Sequence, residues 1–317
     1  MKFKLSLAPL HGISGFTYRN AFFRHFMGFD YAIAPFIMAV KTLNVRKTHI
    51  KDLLPENNKN IKVIPQILSN NSDDFTALSD ILNEYGYDEV NLNLGCPYPM
   101  VANKQRGSGL LIFPDKIDNL LSEIFSKTKT KVSIKIRLGR YEPEEIYKLI
   151  DIINNHPLSK IYIHPRTGIQ MYKGKVYLEI FEDIYHKFKH EVSYNGDIVN
   201  YETFIKLSTK FPTIKDWMIG RAALSNPFLP ETIKTENLPI NNKKGKIKDF
   251  HSDLLESYTK ILFGEKHILD KMKEIWGFLT RSFSDGDKYF KKLCKVKTLN
   301  EYNIILNTLF KDEDWIS

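Results

Sequence analysis

Short apolar runs alternate with longer amphipathic patterns from the start of the chain to about residue 230. Eight of these runs have the length and composition of β-strands, at residues 4–7, 31–34, 62–67, 89–94, 132–137, 160–164, 191–195 and 216–220. Apolar residues at helical spacing separate most of them, although the second connection is less clearly helical. The strand count and the length of the region predict a (β/α)8 barrel rather than an open doubly wound sheet.

Two of the connecting segments have clear helical patterns. Between residues 72 and 85, Ser72 is a candidate N-cap, and Phe75, Leu78 and Leu82 recur at helical spacing. The segment from 142 to 153 is the second case. Such helices are expected to cover the outside of the barrel.

The pattern changes beyond the barrel region. Residues 231–247 are polar, contain a proline and a glycine, and predict a linker. Three apolar stripes at helical spacing follow, formed by Phe250, Leu254, Tyr258 and Ile261, by Ile268, Met272, Ile275 and Leu279, and by Leu299, Tyr302, Leu306 and Leu309. We therefore expect a catalytic barrel domain at residues 1–235 and a small all-helical C-terminal domain at residues 245–317.

The sequence argues against export and membrane insertion. The apolar run behind the first two lysines is broken by Pro9 and His11, and no stretch approaches the roughly 20 apolar residues of a transmembrane helix. Cys96 and Cys294 lie far apart and lack the spacing of a zinc site or a disulfide framework. These features predict a cytoplasmic protein without a bound metal.

The formal charge is +9, from 46 Lys and Arg against 37 Asp and Glu. An excess of this sign favours a polyanionic partner such as a nucleic acid. The excess is spread along the chain, however, with 15 basic and 12 acidic residues between 241 and 317. A lysine-rich surface that is merely solvated explains the charge equally well.

Polar residues follow strand after strand, at the end of a barrel where the chemistry of this fold lies. The last two strands are followed by the glycine-containing turns NGDI (195–198) and IGRAALSNP (219–227). Glycine allows close backbone approach, and Arg221 adds a cation that can hold two phosphate oxygens. The pair of turns predicts a phosphate site, although each turn alone is more often structural.

Other strand ends carry groups that a flavin ring requires. Lys135 ends one strand and provides a cation, with a salt bridge to a neighbouring strand as the alternative. Gln66 offers an amide, or is an ordinary polar residue at a strand end. His164 is a ligand contact, an acid or a structural histidine, and Pro165 leaves the direction of Arg166 open. Asn93 suits the edge of a nucleobase.

Cys96 lies in the stretch NLNLGCPYPM (91–100), where two prolines stiffen the loop directly after a strand. It has three interpretations: a buried structural cysteine, a nucleophile, or a general acid. The acid role requires the least change in environment, because an ordinary thiol is mostly protonated at neutral pH.

Taken together, these motifs resemble the flavin-dependent tRNA-dihydrouridine synthases. The matching segments occur in the order of that family and cover nearly the whole barrel region. They are LAPLHGISGFTYRNAFFR near the start, PQI (65–67), NLNLGCP (91–97), V…K…GSGLL (101–111), KIR (135–137), HPRTGIQMYKG (164–174), YNGDI (194–198) and MIGRAALSNP (218–227).

The resemblance implies a barrel that binds FMN, uses NADPH as the reductant and acts on tRNA, with a helical domain that helps to hold the tRNA. It implies that Cys96 is the general acid and that Asn93 and Arg166 meet the substrate. The residues it assigns to the cofactor are Pro9, Leu10, Gln66, Lys135, His164, Asn195, Gly196, Asp197, Gly220 and Arg221. We expect a monomer without membrane association.

The chain departs from the family pattern at a few positions. Leu10 replaces a methionine, Tyr18 replaces an aspartate, and HPR at 164–166 replaces HGR or HAR. These departures affect substrate position more than the reaction. Two other functions remain open, an FMN barrel enzyme for a small molecule and a non-catalytic RNA-binding barrel. The substrate of a dihydrouridine synthase could also be rRNA.

Overall fold

The computed structural model describes residues 3–39 and 50–317, and its centre is a ten-stranded parallel sheet. The strands are β1 (Lys4–Leu7), β2 (Tyr31–Ile33), β3 (Ile37–Met38), β4 (Val63–Ile64), β5 (Gln66–Leu68), β6 (Glu89–Leu94), β7 (Lys131–Gly139), β8 (Ile161–Thr167), β9 (Val192–Tyr194) and β10 (Asp216–Ile219). They pair in the order β3-β5-β6-β7-β8-β9-β10-β1-β2-β4.

The two ends of this order close on each other. β2 and β3 are successive segments of one chain stretch, and β4 and β5 are halves of another that is interrupted at Pro65. Ala32 pairs with Val63 in the first half, and Ile37 pairs with Ile67 in the second. Counting β2 with β3 and β4 with β5 as one strand each, the ten segments form an eight-stranded closed barrel. This confirms the predicted (β/α)8 fold.

Pro65 explains why one predicted strand appears as two. Proline has no N–H to donate to a neighbouring strand, so the ladder is interrupted at that residue. Its carbonyl still accepts from the N–H of Asn91, at 2.8 Å. The short β3, which continues β2 on the other side of this interruption, was missed by the sequence pattern.

Helices surround the barrel and form the C-terminal region. They are α1 (Phe16–His25), α2 (Ser72–Glu84), α3 (Pro99–Ala102), α4 (Pro114–Lys127), α5 (Tyr147–Asn154), α6 (Leu178–Ile184), α7 (Tyr201–Lys210), α8 (Arg221–Ser225), α9 (Leu229–Lys234), α10 (Lys243–Ile261), α11 (Glu265–Leu279), α12 (Gly286–Leu293) and α13 (Leu299–Asp312). Within the described part of the second connection, 3-10 turns occur at Lys51–Leu53 and Pro55–Asn57. Residues 40–49 of that connection lie outside the described residues.

The boundaries of two predicted helices need correction. Asn71, not Ser72, caps α2, because its side-chain oxygen accepts from the N–H of Asp74 at 2.8 Å. The hydroxyl of Ser72 instead donates to Glu123. The segment predicted from 142 to 153 begins as a 3-10 turn with a capping box at Glu142 and becomes α5 afterwards.

The predicted linker at 231–247 is shorter in the structure, because helices occupy both of its ends. α9 extends into it to Lys234, and α10 begins at Lys243. Residues 235–242 form the loop between these two helices. The division into domains at 1–235 and 245–317 stays a prediction.

The C-terminal helices share an apolar core with the first helix of the barrel. Tyr18, Phe22 and Phe26 of α1 pack with Phe250 of α10, and the rings of Phe26 and Phe250 have centroids 4.9 Å apart. The substitution of Tyr18 for the aspartate of the family pattern places its ring in this core, where it is fully buried. Burying aromatic area of this size fixes α10 against the barrel.

At the amino-terminal end of the strands, the barrel interior contains a buried polar network. The carboxylate of Asp216 accepts from Lys160 at 2.6 Å, from the hydroxyl of Tyr31 and from Ser193 at 2.7 Å. Tyr31 and Tyr162 have their hydroxyl oxygens 3.0 Å apart. Because Asp216 is fully buried, these partners supply the hydrogen bonds that its carboxylate cannot obtain from water.

Replacing Lys160 with Met should therefore lower the free energy of unfolding by about 3–5 kcal/mol, since it leaves the buried carboxylate of Asp216 without its cation. The measurement is a urea titration of both proteins. Lys187→Met is the matched control, because Lys187 pairs with Asp183 on the surface and should cost less than about 0.5 kcal/mol. Equal costs for the two variants would contradict the expectation.

Candidate active site

The carboxyl ends of the strands open into a cavity of about 910 Å³. Every site residue predicted from the sequence lines this cavity: Pro9, Leu10, Gln66, Asn93, Cys96, Lys135, His164, Arg166, Asn195, Gly196, Asp197, Gly220 and Arg221. These residues come from six strands or the turns that follow them and from the first loop, which follows β1. The structure thus brings the whole candidate set together, while their individual roles stay predictions.

Cys96 lies in the loop after β6, and its backbone is fixed by Asn93. The side-chain oxygen of Asn93 accepts from the N–H of Gly95 at 3.0 Å and of Cys96 at 2.8 Å. The Cys96 residue is 6% exposed and borders the cavity. Burial raises the pKa of the thiol, and the nearby charges of Arg137 and Arg140 only partly offset this rise. The thiol is therefore protonated at neutral pH and has a proton to give.

A chain of amides connects Asn93 to the barrel interior. Asn93 donates to the side-chain oxygen of Gln66 at 2.7 Å, and Gln66 donates to the side-chain oxygen of Asn91 at 2.8 Å. Asn91 in turn donates to the hydroxyl of Ser133 at 3.0 Å. Each amide orients the next, so the side chain of Asn93 has a defined direction below the thiol loop.

Lys135 has no salt bridge or hydrogen bond within residues 3–39 and 50–317, so the predicted alternative of a cross-strand ion pair is not seen there. Burial and then the charge of Arg137 lower the pKa of Lys135 to about 7. An ammonium group in this position needs a partner, and the cavity is where one can bind.

His164 is uncharged at neutral pH. Burial, followed by the charges of Arg137, Lys135, Arg166 and Arg221, holds the pKa of its ring well below the usual range. The NH1 group of Arg166 lies 3.1 Å from Nε2 of His164. Because a guanidinium can only donate, Nε2 is the acceptor and the ring proton is assigned to Nδ1. A neutral ring is suited to hydrogen bonding rather than to acid catalysis.

The guanidinium of Arg166 is fully engaged by protein groups. β8 continues through Pro165, so Arg166 lies on the same side of the strand as His164. Besides His164, it binds both carboxylate oxygens of Asp197 and donates twice to the carbonyl of Gly174. All five N–H groups have partners. This geometry favours a role in holding Asp197, and the predicted substrate contact of Arg166 stays untested.

The two glycine-containing turns form the opposite wall. Asn195 donates to the carbonyl of Met218 at 3.0 Å, which joins the first turn to β10. A Cβ on Gly196 would lie 2.8 Å from the hydroxyl oxygen of Tyr194, so only glycine fits there. Arg221 is 39% exposed in its side chain, and its closest carboxylate contact, to Asp197, is 3.5 Å long. Arg221 is therefore freer than Arg166 to meet an anion.

Several residues that line this cavity had no site role assigned from the sequence. The ring of Tyr172 lies between two guanidiniums, with its centroid 5.4 Å from Arg137 and 5.1 Å from Arg221. Arg281, from the C-terminal helices, also lines the cavity. Arg137 lies on the same side of β7 as Lys135, as strand alternation predicts, and it also lines the cavity. Nothing in the sequence indicated Tyr172 or Arg281.

The charges of the lining residues are strongly unbalanced. The cations are Lys135, Arg137, Arg166, Arg221, Lys243 and Arg281. In the described part of the chain, the lining side chains with carboxylates are those of Asp197 and Glu202. The site is thus suited to an anionic ligand. Within the same described residues, no cluster of three or more His, Cys, Asp or Glu could hold a metal ion, and no helix is long and apolar enough to cross a membrane.

Residues 6–313 match the family model described as dihydrouridine synthase. This chain belongs to the dihydrouridine synthase family. Among named relatives in that family, the tRNA-dihydrouridine(16) synthase of Neisseria meningitidis is 24% identical, with 96% of this chain and 94% of the relative covered. A probable tRNA-dihydrouridine synthase of Staphylococcus aureus is 29% identical, with 95% and 91% covered.

Two solved structures illustrate the similarity of fold. A morphinone reductase mutant in complex with tetrahydroNAD aligns with a TM-score of 0.53 at 10% identity, covering 74% of this dihydrouridine synthase family member and 87% of the reductase. A variant of NCR from Zymomonas mobilis gives 0.50 at 11% identity, covering 75% and 87%. At such identities the similarity concerns the fold alone, and it agrees with the closed barrel described above.

The lowered pKa of Lys135 predicts a pH-dependent stability. Its pKa is about 7 in the folded protein and about 10.4 in an unfolded chain, so between these values the unfolded state binds more protons. The contribution of Lys135 to stability therefore rises as the pH rises from 7 towards 10. In ligand-free protein, Lys135→Met should be more stable than wild type at pH 7, and this gap should narrow by pH 9.

Urea titrations at pH 7, 8 and 9 measure the gap. Lys131→Met is the control, because Lys131 is exposed at the start of the same strand and its gap should not change with pH. A gap for Lys135→Met that is constant from pH 7 to 9 would show that Lys135 keeps its ordinary pKa.

Proposed function

We propose that this protein is an FMN-dependent tRNA-dihydrouridine synthase that uses NADPH to reduce the C5–C6 double bond of specific uridines. The observation that carries the proposal is that one cavity contains a protonated thiol beside a group of cations with few carboxylates. The family match and the named relatives support the same reaction and the tRNA substrate. A cytoplasmic location and a monomeric state stay predictions.

The residues at the cavity fit FMN. The ammonium of Lys135, which has no partner among residues 3–39 and 50–317, would meet the electron-rich edge of the flavin ring, and the neutral His164 would donate from Nδ1. The amide of Gln66 faces the same space. The phosphate would lie at the turns that contain Asn195–Asp197 and Gly220–Arg221, where Arg221 has unused donors. The cavity volume of about 910 Å³ lies in the range of cofactor sites.

Reduction of uridine adds a hydride to C6 and a proton to C5. When bound, FMN that has been reduced by NADPH supplies the hydride. Cys96 donates the proton to C5 from the opposite face of the base, and its sulfur carries the negative charge until solvent returns a proton. Burial keeps the thiol protonated before the reaction, and the charges of Arg137 and Arg140 favour the thiolate that remains after it. Asn93 fixes the position of the loop between these steps.

The substrate base has to leave the stacked interior of the RNA before it can reach the thiol. Arg281 and Lys243 extend the positive wall of the cavity onto the C-terminal helices, where phosphates that flank the flipped nucleotide would lie. A small-molecule substrate would not need these cations. Mapping dihydrouridine in RNA from a deletion strain would identify the modified uridine position. The same map would show whether the substrate is tRNA or rRNA.

Cys96→Ala should retain flavin and still oxidise NADPH, but the rate of uridine reduction should fall by about 100-fold or more because the proton donor is lost. Dihydrouridine formation in tRNA and flavin absorbance are measured in parallel. Cys294→Ser is the matched control, since Cys294 is exposed and does not line the cavity. Unchanged turnover in Cys96→Ala would remove the thiol from the mechanism. A wild-type protein without flavin would instead favour a non-catalytic RNA-binding barrel.

Truncation at residue 241 is a poor test of RNA binding, because it would expose the aromatic core shared by α1 and α10. Arg281→Ala is more specific. It should weaken tRNA binding and reduce the slope of log affinity against log salt by about one, with flavin content unchanged. Gel shifts at several salt concentrations measure this. Lys266→Ala is the control, because Lys266 pairs with Asp270 on the surface. Loss of flavin from Arg281→Ala would assign Arg281 to the cofactor instead.

A further inference from the structure

Three consecutive carbonyls around the thiol are each held by a different donor group. The carbonyl of Gly95 accepts from Nε of Arg137 at 2.9 Å. The carbonyl of Cys96 accepts from both the N–H and the hydroxyl of Ser108, at 3.0 and 2.9 Å. The carbonyl of Pro97 accepts from NH1 of Arg140 at 3.0 Å. A loop with every carbonyl fixed in this way has little freedom to rotate its side chain away.

Arg140 connects two of these contacts. The same NH1 group lies 3.2 Å from the hydroxyl oxygen of Ser108, which accepts from the guanidinium while it donates to the carbonyl of Cys96. Ser108 is fully buried. The backbone of Arg140 is itself fixed, because its N–H donates to the carboxylate of Glu145 at 2.7 Å. Arg140 therefore extends from the end of β7 to both sides of the thiol.

Gly168 leaves the space that this arrangement requires. A Cβ on Gly168 would lie 2.6 Å from the hydroxyl oxygen of Ser108 and 2.9 Å from Cδ of Arg140. Its φ is not in the left-handed region, so the backbone conformation does not demand glycine. Its N–H is also tied to the carbonyl of Gly139 at 2.8 Å, which prevents it from moving aside easily. A side chain at position 168 would occupy the space of Arg140 and Ser108, which explains the glycine in HPRTG.

We propose that Arg140 is a positioning residue for the Cys96 thiol, acting through Pro97 and Ser108 in the space that Gly168 leaves free. Arg140 is outside the cavity lining and has its donors directed at the loop, so it acts on the reaction through Cys96. It fixes the direction of the thiol and keeps a positive charge near the sulfur. This inference rests on the proposed role of Cys96 as proton donor.

The first test measures the thiol without using the enzymatic reaction. In a Cys294→Ser background Cys96 is the sole thiol, since the chain has 2 cysteines. The rate of alkylation by iodoacetamide is followed against pH by mass spectrometry. Arg140→Ala should move the midpoint of the profile upward by at least about half a pH unit, because a cation near the thiolate is lost. Arg140→Lys should show a midpoint close to that of the background protein, because lysine keeps the positive charge.

Gly168→Ala is an independent variant that leaves Arg140 in the sequence but removes its space. It should shift the alkylation profile in the same direction as Arg140→Ala. Arg106→Ala is the matched control, because Arg106 lies near Ser108 in the chain but donates to Asn70. Its profile should equal that of the background protein. Thermal melts establish that each variant is folded, and Arg140→Lys and Gly168→Ala carry the test if Arg140→Ala does not fold.

The second test measures uridine reduction in tRNA by the same variants. Arg140→Ala should lower the turnover by about tenfold or more with flavin content and tRNA-independent NADPH oxidation unchanged. Wild-type alkylation profiles in Arg140→Ala and Gly168→Ala would overturn the positioning role. If the alkylation profiles shift but the protein does not reduce uridines in tRNA, the proposed function is refuted. Arg140 then still determines the reactivity of the Cys96 thiol. Wild-type turnover in Arg140→Ala, in a protein that reduces tRNA uridines, would also refute the inference.

Discussion

Closure of the barrel between the chain stretches 31–38 and 63–68 is the constraint on which the site depends. Two short ladders, β2 with β4 and β3 with β5, join the ends of the sheet on either side of Pro65. Because all strands are parallel, closure places every carboxyl end on one rim. Cys96, Lys135, His164 and Arg221 meet there although more than a hundred residues of chain separate the first from the last.

The rim gathers positive charge that the protein does not neutralise. The carboxylate of Asp197 forms a salt bridge with Arg166, and Lys135 has no protein partner in the described part of the chain. Burying cations in this way is unfavourable, and it lowers the pKa of Lys135 and of His164. An anionic ligand that binds the folded protein at these cations would offset this cost. The same charges favour the thiolate of Cys96, while burial favours the thiol.

The C-terminal helices are part of this arrangement rather than an independent attachment. Their aromatic residues pack with α1 in one core. Arg281 lies in the 3-10 turn that follows α11 and lines the cavity. A wall that contains residues from both regions can hold a cofactor on one side and a polyanion on the other.

The sequence by itself determined the periodicity of the barrel strands, the three apolar stripes of the C-terminal region and the identity of the residues at the strand ends. These features follow from local spacing, which requires no knowledge of neighbours. The tertiary structure alone decided that Asn71 caps α2, that helices occupy both ends of 231–247, that all donors of Arg166 are engaged, and that Arg140 contacts the thiol loop in the space beside Gly168. Each of these depends on contacts or packing that local spacing does not encode, and the thiol loop in particular joins segments that are distant in the chain and adjacent only after the barrel closes.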